Sequence, residues 1–187
     1  LDTFGAQVSS DHERYPADVK CLGFLYLYVG RYPRNNASRN TLHINLLAPF
    51  FWTQAFLPEL AASRGSVINI GSIHARLTKQ RFAAYATSKA ALTGLTRSLA
   101  LELGNRVRVN AIEPAAIDTA MLRAGFEGDR EGFSRLAQCH PTQCIGKPEE
   151  VARLAVMLAD EGLGFLNGAV VPLDGGIGGR LYEGGNT

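Results

Sequence analysis

The fold is decided by residues 66–112, which read SVINIGSIHARLTKQRFAAYATSKAALTGLTRSLALELGNRVRVNAI. The first five residues form a short apolar run with several β-branched side chains, which predicts a buried strand. Leucines then recur at helical spacing, so residues 82–103 predict a long helix that stops at Gly104. Residues 106–112 predict the next strand, closed by Pro114. A strand, a helix and a strand in this order indicate two parallel strands joined by a crossover helix.

The same alternation continues on both sides of this stretch. Residues 46–62 predict a helix that Pro58 kinks or ends early, with buried positions at Leu47, Phe50, Phe51, Ala55, Leu57 and Leu60. Residues 148–160 predict a helix that opens on Pro148, and residues 169–173 predict a last short strand. The fold class is therefore α/β, a doubly wound parallel sheet in three αβα layers. We expect one domain over residues 1–187, in which the less regular residues 118–147 form a substrate lid or a plain surface connection.

Composition excludes several classes of protein. The chain is 46% hydrophobic and 19% charged, as in soluble globular domains, and its net charge of +2 does not favour nucleic acid as a partner. No apolar run is long enough to span a bilayer, and no signal peptide is visible, so we expect no membrane association. Three cysteines without a zinc spacing indicate a reduced, cytoplasmic location. Cys139, His140 and Cys144 form an alternative metal site, but we expect ordinary loop thiols and no metal.

Ser72, Tyr85 and Lys89 form a candidate proton-transfer site. Tyr85 and Lys89 are four residues apart on a predicted helix, so their side chains share one face. A nearby ammonium lowers the pKa of a phenol and prepares it for acid–base work on a carbonyl or alcohol. Ser72 lies where a strand ends, which is where open α/β sheets bind ligands. A Tyr-x-x-x-Lys spacing is also common as a surface pair, and His74 can either line a substrate pocket or lie at the surface.

A series of motifs, in order along the chain, resembles those of the classical short-chain dehydrogenases/reductases. Asn35-Asn36-Ala37 resembles the start of the motif that ends the family's fourth strand, and Asn45 resembles the helix asparagine of its catalytic tetrad. Ser72, Tyr85 and Lys89 match the other three tetrad members at the family's spacing. Later matches are Val107 to Ile112 with Pro114, then Ile117, Thr119, residues 146–152 and residues 167–176.

The resemblance implies a Rossmann-like fold and hydride transfer between NAD(H) or NADP(H) and a small carbonyl or alcohol substrate. It implies that Tyr85 is the general acid/base and that Lys89 lowers the pKa of the tyrosine and binds ribose. In the same way, Ser72 would polarise the substrate oxygen and Asn45 would anchor a proton relay. The cofactor contacts that it implies are Asp18, Asn35, Ala37, Tyr85, Lys89, Pro114, Ile117 and Thr119.

The amino-terminal part departs from the family pattern. Residues 1–8, with Gly5 to Val8, resemble the end of the family's first helix leading into its second strand, so its first strand and glycine-rich phosphate loop would lie upstream of Leu1. We therefore expect an incomplete chain, with a further internal join near residues 19–34 or 38–44, which are short for what the family places there. Asp11 is a candidate NAD ribose contact and Arg14 a rival that favours NADP, and both can equally be solvated loop charges.

The main hypothesis is a short-chain oxidoreductase, a homotetramer by family analogy. A non-catalytic binding or regulatory protein with the same fold is the first alternative, and an epimerase or dehydratase that uses the same Tyr-Lys pair is the second.

Overall fold

The computed structural model describes residues 21–22 and 37–181. Four strands of this part form one parallel sheet, β1 (Cys21–Leu22), β2 (Ser66–Ile70), β3 (Arg108–Pro114) and β4 (Val170–Leu173). Their order in the sheet is the order in the chain, and each neighbouring pair is parallel. The predicted α/β class with a parallel sheet is confirmed.

The helix before β2 begins earlier than the sequence predicted. It starts as α1 (Ala37–Leu42), passes through a π-helical turn at His43–Leu47 and continues as α2 (Ala48–Ala55). Pro49 has no N–H to donate to the carbonyl of Asn45, four residues earlier. The turn directly before it is the wider, π-helical one. The prediction that the helix begins at residue 46 is therefore wrong, because a proline in a first turn was read as a helix start.

Pro58 interrupts this helix, as the sequence predicted. The chain leaves helical geometry at Phe56 and resumes as α3 (Leu57–Ala62), with Pro58 in its first turn. Leu60 is buried, and Phe50 and Leu57 pack against the core. The prediction that Phe51 and Ala55 are buried is wrong, since both are exposed and Phe51 retains 56% of its accessible surface. The buried face of α2 instead includes Thr53, whose hydroxyl donates to the Pro49 carbonyl.

Helix α4 (Ala83–Leu103) is the crossover between β2 and β3 and packs on one face of the sheet. Leu92, Leu99 and Leu103 are buried and Leu95 is partly buried, as the leucine spacing predicted. The helix ends at Gly104, where a positive φ of 54° suits glycine. Strand β3 lies two residues later than predicted, because residue 106 still donates to Leu103 in the turn after α4.

The two faces of the sheet carry separate hydrophobic clusters. Val67 and Val109 belong to the cluster beneath α4, whereas their neighbours Ile68 and Ile112 pack against α7 (Pro148–Ala159). Successive strand residues point to opposite faces, so helices cover both sides. This is the predicted three-layer αβα arrangement.

Residues 118–147 contain more regular structure than the sequence indicated. Two short helices lie there, α5 (Ala120–Ala124) and α6 (Arg130–Gln138), and each is begun by a side chain that caps its first turn. The caps are Thr119 and Asp129, which accept from Leu122 and Gly132. A lid role for this segment stays a prediction. Within the part of the chain that the structure describes, no helix is both long enough and apolar enough to cross a membrane.

Candidate active site

The candidate site lies at the carboxyl ends of β2 and β3. Gly71 and Ser72 follow β2, and the amide of Gly71 still donates to the Ile112 carbonyl of β3 at 2.7 Å. Helix α4, which carries Tyr85 and Lys89, packs closely against β3 and the turn after Ser72. Parallel strands bring their carboxyl ends to one edge, so residues distant in sequence meet there.

Lys89 is a buried cation at this edge. Its side chain is nearly inaccessible, and Nζ donates to the Ile70 carbonyl, the last residue of β2, at 2.8 Å. Burial lowers the pKa of Lys89 from its ordinary 10.5 to about 8. The group is therefore still mainly an ammonium at pH 7. Its Nζ lies 5.8 Å from the centre of the Tyr85 ring, so one helix face holds the cation and the phenol together.

Tyr85 is partly buried and held by two aromatic neighbours. The rings of His74 and Phe82 meet it edge to face, with centroids 5.5 Å and 6.0 Å away. His74 also stacks on Phe82 at 4.6 Å and shares a hydrogen bond with Thr78. Burial, and then repulsion by Lys79, lowers the pKa of His74, which favours the neutral form of its ring. Of the two readings of His74, the structure favours the one in which the ring lies beside the site.

The Ser72 hydroxyl lies at the start of a short 3-10 turn. It is buried, and its oxygen accepts from the amide of His74 at 3.2 Å, which caps the turn formed by Ile73–Ala75. A hydroxyl accepts through its lone pairs and donates through its hydrogen. The Ser72 O–H can therefore donate to an oxygen of a bound molecule while the cap is kept.

Asn45 reaches the site through a serine that the sequence did not single out. The Asn45 side chain is buried in the π-helical turn, and its amide nitrogen donates to Ser88 Oγ at 3.0 Å. Ser88 Oγ in turn donates to the Tyr85 carbonyl at 2.7 Å. Asn45 is thus tied to the segment of α4 between Tyr85 and Lys89. Ser88 is fully buried one residue before the lysine, which no pattern in the sequence indicated.

Apart from Tyr85 and Lys89 on α4, the predicted cofactor contacts that the structure describes end or follow β3 or begin α1. Pro114 ends β3 opposite Leu173, Ile117 bridges to Gly146, and the Thr119 hydroxyl caps the next helix. Ala37 is the first residue of α1. Asp11, Arg14, Asp18 and Asn35 lie outside the described residues, and so do the amino-terminal residues 1–20 and, except for residues 21–22, the proposed internal join near residues 19–34. Residues 38–44 run without interruption from α1 into the π-helical turn.

Sequence reasoning missed a buried acid at the same edge. Glu113 retains 1% of its surface and lies directly before Pro114. Its carboxylate accepts from Arg76 and Thr93. The signal was a charged residue at the end of an apolar strand, a position where acids are rarely buried without partners.

The donor set of the site fits the ribose of a nicotinamide dinucleotide. The Lys89 ammonium carries three N–H donors, of which the Ile70 carbonyl takes one. Hydroxyl groups suit the remaining two, and an ammonium binds them as a compact point donor. A metal has no comparable site, since the described residues hold no group of three His, Cys, Asp or Glu that could bind one. Cys139 and Cys144 are exposed, and His140 is buried against the Leu136 carbonyl.

A family model and several curated proteins match most of this chain. A family model described as enoyl-(acyl carrier protein) reductase matches residues 22–178. Protein FixR of Bradyrhizobium diazoefficiens is 40% identical over 136 residues, which cover 72% of this chain and 47% of FixR. The 3-oxoacyl-[acyl-carrier-protein] reductase FabG of Pseudomonas aeruginosa is 37% identical over 140 residues, 74% of this chain and 56% of FabG. The chain spans about half the length of the curated relatives it matches.

Solved structures agree with the sequence relatives. The ligand-free aldohexose dehydrogenase of Thermoplasma acidophilum superposes on this chain with a TM-score of 0.80 and 30% identity. The match covers 90% of this chain and 71% of that one.

Proposed function

Since this chain belongs to the classical short-chain dehydrogenase/reductase family, we propose that the protein interconverts a carbonyl and an alcohol with a nicotinamide dinucleotide as redox partner. The observation that carries the proposal is the buried Lys89 ammonium 5.8 Å from the Tyr85 ring, at the sheet edge where Ser72 also lies. A surface pair of the same spacing would have neither the burial nor the serine.

Tyr85 is the proton donor and acceptor of the proposed reaction. A free phenol has a pKa near 10 and exchanges protons poorly at pH 7. A cation close to the ring stabilises the phenolate and lowers the pKa, which brings the phenol nearer to the pH at which a general acid/base works best. Lys89 supplies this charge, because it remains mainly protonated at pH 7 despite its burial.

Ser72 and Asn45 assist the tyrosine in different ways. The Ser72 O–H donates to the substrate oxygen and thereby stabilises the negative charge that develops on it. Asn45 and Ser88 hold the backbone of Tyr85 through two consecutive hydrogen bonds, which fixes the phenol relative to Ser72. Asn45 would also anchor a proton relay, as the family resemblance implies.

NAD or NADP is the proposed cofactor, and the choice between them stays open. A bound nicotinamide ring would supply or accept the hydride. Lys89 would hold the ribose through its remaining donors, and Pro114, Ile117 and Thr119 would line the nicotinamide side of the cleft. Asp11, Asp18, Asn35 and Ala37 complete the proposed set of contacts. The family analogy further supports a small-molecule substrate and a homo-oligomer.

The relatives suggest which substrates to try first. FabG is named for 3-oxoacyl chains on a carrier protein and the Thermoplasma enzyme for an aldohexose. A panel of a 3-oxoacyl thioester and an aldohexose, each with both dinucleotides, covers these two chemistries.

Replacement of Tyr85 tests the proposal. We expect Tyr85→Phe to lower kcat by at least about a hundredfold, because general acid/base catalysis contributes on that scale. The fold should persist, since phenylalanine keeps the ring that His74 and Phe82 contact. Turnover of the panel by both proteins, with thermal unfolding as the control for folding, is the measurement. A folded variant with near-full kcat would refute the mechanism.

A further inference from the structure

Glu113 is a buried acid whose two carboxylate oxygens are held by two different elements. Arg76 Nε donates to Oε2 at 2.8 Å, and Thr93 Oγ1 donates to Oε1, also at 2.8 Å. Glu113 retains 1% of its surface, while the Arg76 side chain retains 44%. A buried carboxylate is costly without partners, so both contacts matter more here than they would at the surface.

Each of the two donors lies four residues after a proposed catalytic residue. Arg76 is four residues after Ser72 and ends the 3-10 turn that Ser72 caps. Thr93 is four residues after Lys89, one helical turn further along α4, and its hydroxyl also lies 3.2 Å from the Lys89 carbonyl. Glu113 therefore joins the segment that carries Ser72 to the helix that carries Tyr85 and Lys89.

Close packing leaves Glu113 little freedom to move. A Cβ at Gly71 would lie 3.1 Å from Glu113 Cγ and 3.1 Å from the Ile112 carbonyl oxygen. The side chain thus lies directly on the backbone one residue before Ser72, which explains why that position is a glycine. A shift of Glu113 would therefore act directly on the backbone next to Ser72, with no side chain between them.

Arg76 extends the cluster to the last strand. Its Nη2 lies 3.5 Å from Asp174 Oδ2, just after β4. A Cβ at Gly178 would lie 3.1 Å from the same Nη2, so the guanidinium is packed against that segment. The Glu113 cluster, formed by Arg76, Thr93, Glu113 and Asp174, thus joins four separate parts of the chain at the edge that holds the site.

We propose that Glu113 is a positioning residue for the reaction: through Arg76 and Thr93 it fixes the distance between Ser72 and the Tyr85–Lys89 pair. The catalytic part of this inference rests on the proposed function, whereas the link between the two segments rests on the contacts alone. Small errors in the placement of catalytic groups cost large factors in rate, so such a tie acts mainly on kcat.

Thr93→Val is the variant that tests this inference, since it removes one hydroxyl and keeps the side chain's shape. We expect kcat to fall about tenfold or more while the KM for the dinucleotide stays within about twofold, because the segment that carries Ser72 is displaced and the helix that carries Lys89, the proposed ribose contact, is not. Thr93→Ser restores the hydroxyl and should restore kcat. Arg97→Ala, an exposed change one turn further along α4, is the matched control and should leave kcat unchanged.

Hydrogen exchange provides a second readout that needs no substrate. The amides of Ala75, Arg76 and Leu77 are hydrogen-bonded within the turn after Ser72. We expect Thr93→Val and Glu113→Gln to speed exchange at these three amides and to leave those of α7 unchanged. Faster exchange only there, with lower kcat and unchanged cofactor KM, supports the inference.

Two results would overturn the inference, and a third concerns the proposed function alone. Unchanged exchange at the three amides in folded Thr93→Val would show that Glu113 does not tie the segments. Faster exchange with unchanged kcat would show that the tie does not position the catalytic groups. Absence of turnover by the wild-type protein would refute the proposed function, whereas the exchange result would still decide whether the tie exists.

Discussion

Lys89 places a positive charge where a protein would ordinarily avoid one. Its Nζ is buried, has the Ile70 carbonyl as a hydrogen-bond acceptor and lies beside the Tyr85 ring. An isolated buried ammonium raises the free energy of the folded state, so this residue is maintained at a cost to stability. The cost is understandable if the ammonium lowers the pKa of the phenol and binds a ribose hydroxyl.

The buried lysine predicts a specific pH dependence of stability. Its pKa is about 8 in the folded chain against an ordinary 10.5, so between these pH values the unfolded chain binds more protons. The free energy of unfolding should therefore rise with pH across this window, by on the order of 3 kcal/mol for this group. Below pH 8 the destabilisation that comes from burying the ammonium should be constant. Lys89→Met lacks the titrating group and should lack this part of the rise.

Urea unfolding of both proteins from pH 7 to pH 10 measures the effect. The other titrating groups are common to the two proteins, so the difference between their free energies of unfolding isolates Lys89. Parallel curves over the whole range would contradict a lowered pKa and with it the assigned burial of the ammonium.

Some residues of the site could be predicted from the sequence and others could not. Asn45, Ser72, Tyr85 and Lys89 were singled out from spacing and family resemblance, because these signals are local or ordered along the chain. Glu113 and Ser88 were missed, because their roles depend on partners 20 to 43 residues away. No local pattern reports which side chain a buried acid or hydroxyl will meet.

Among the helices and strands, the π-helical turn at His43–Leu47 has two consequences. It accommodates Pro49, and it places Asn45 where the side chain contacts α4. The Asn45–Ser88 hydrogen bond is a buried polar contact between this turn and α4. Removal of either partner leaves the other buried and unsatisfied, which costs more than the bond contributes when formed.

Ser88→Ala tests this contact between the two helices. Ser88 is fully buried, accepts from Asn45 and donates to the Tyr85 carbonyl. We expect the free energy of unfolding to fall by about 1–3 kcal/mol, the penalty of an unsatisfied buried amide. Ser98→Ala is the matched control, an exposed serine of the same helix, and should change stability by less than about 0.5 kcal/mol. Equal stability of the two variants would contradict the contact.

The elements themselves were predictable where the pattern was regular. β2 was predicted at its observed bounds, and α4 and α7 to within one residue, because their apolar periodicity and their Gly or Pro boundaries are strong signals. The start of the helix before β2 and the exposure of Phe51 were not predictable. The π-helical turn breaks the period from which a buried face is read.

At the scale of the whole molecule, the parallel sheet is what assembles the site. Ser72 follows β2, Glu113 and Pro114 end β3, Asp174 follows β4, and α4 crosses beside them. None of these segments contains a functional site by itself. The order of the strands brings their carboxyl ends together, which is the general reason that ligands bind there in such folds.

Transfer of a label is the measurement that tests the central claim most directly. The protein would be incubated with the oxidised, carbonyl form of each panel substrate and a reduced dinucleotide that carries deuterium at both positions of C4 of its nicotinamide ring. The account predicts that deuterium appears on the carbinol carbon of the alcohol product with the wild-type protein and is nearly absent with Tyr85→Phe. Dinucleotide binding without label transfer to any panel substrate, or product formed without deuterium at that carbon, would contradict it and favour a binding protein or an epimerase or dehydratase instead.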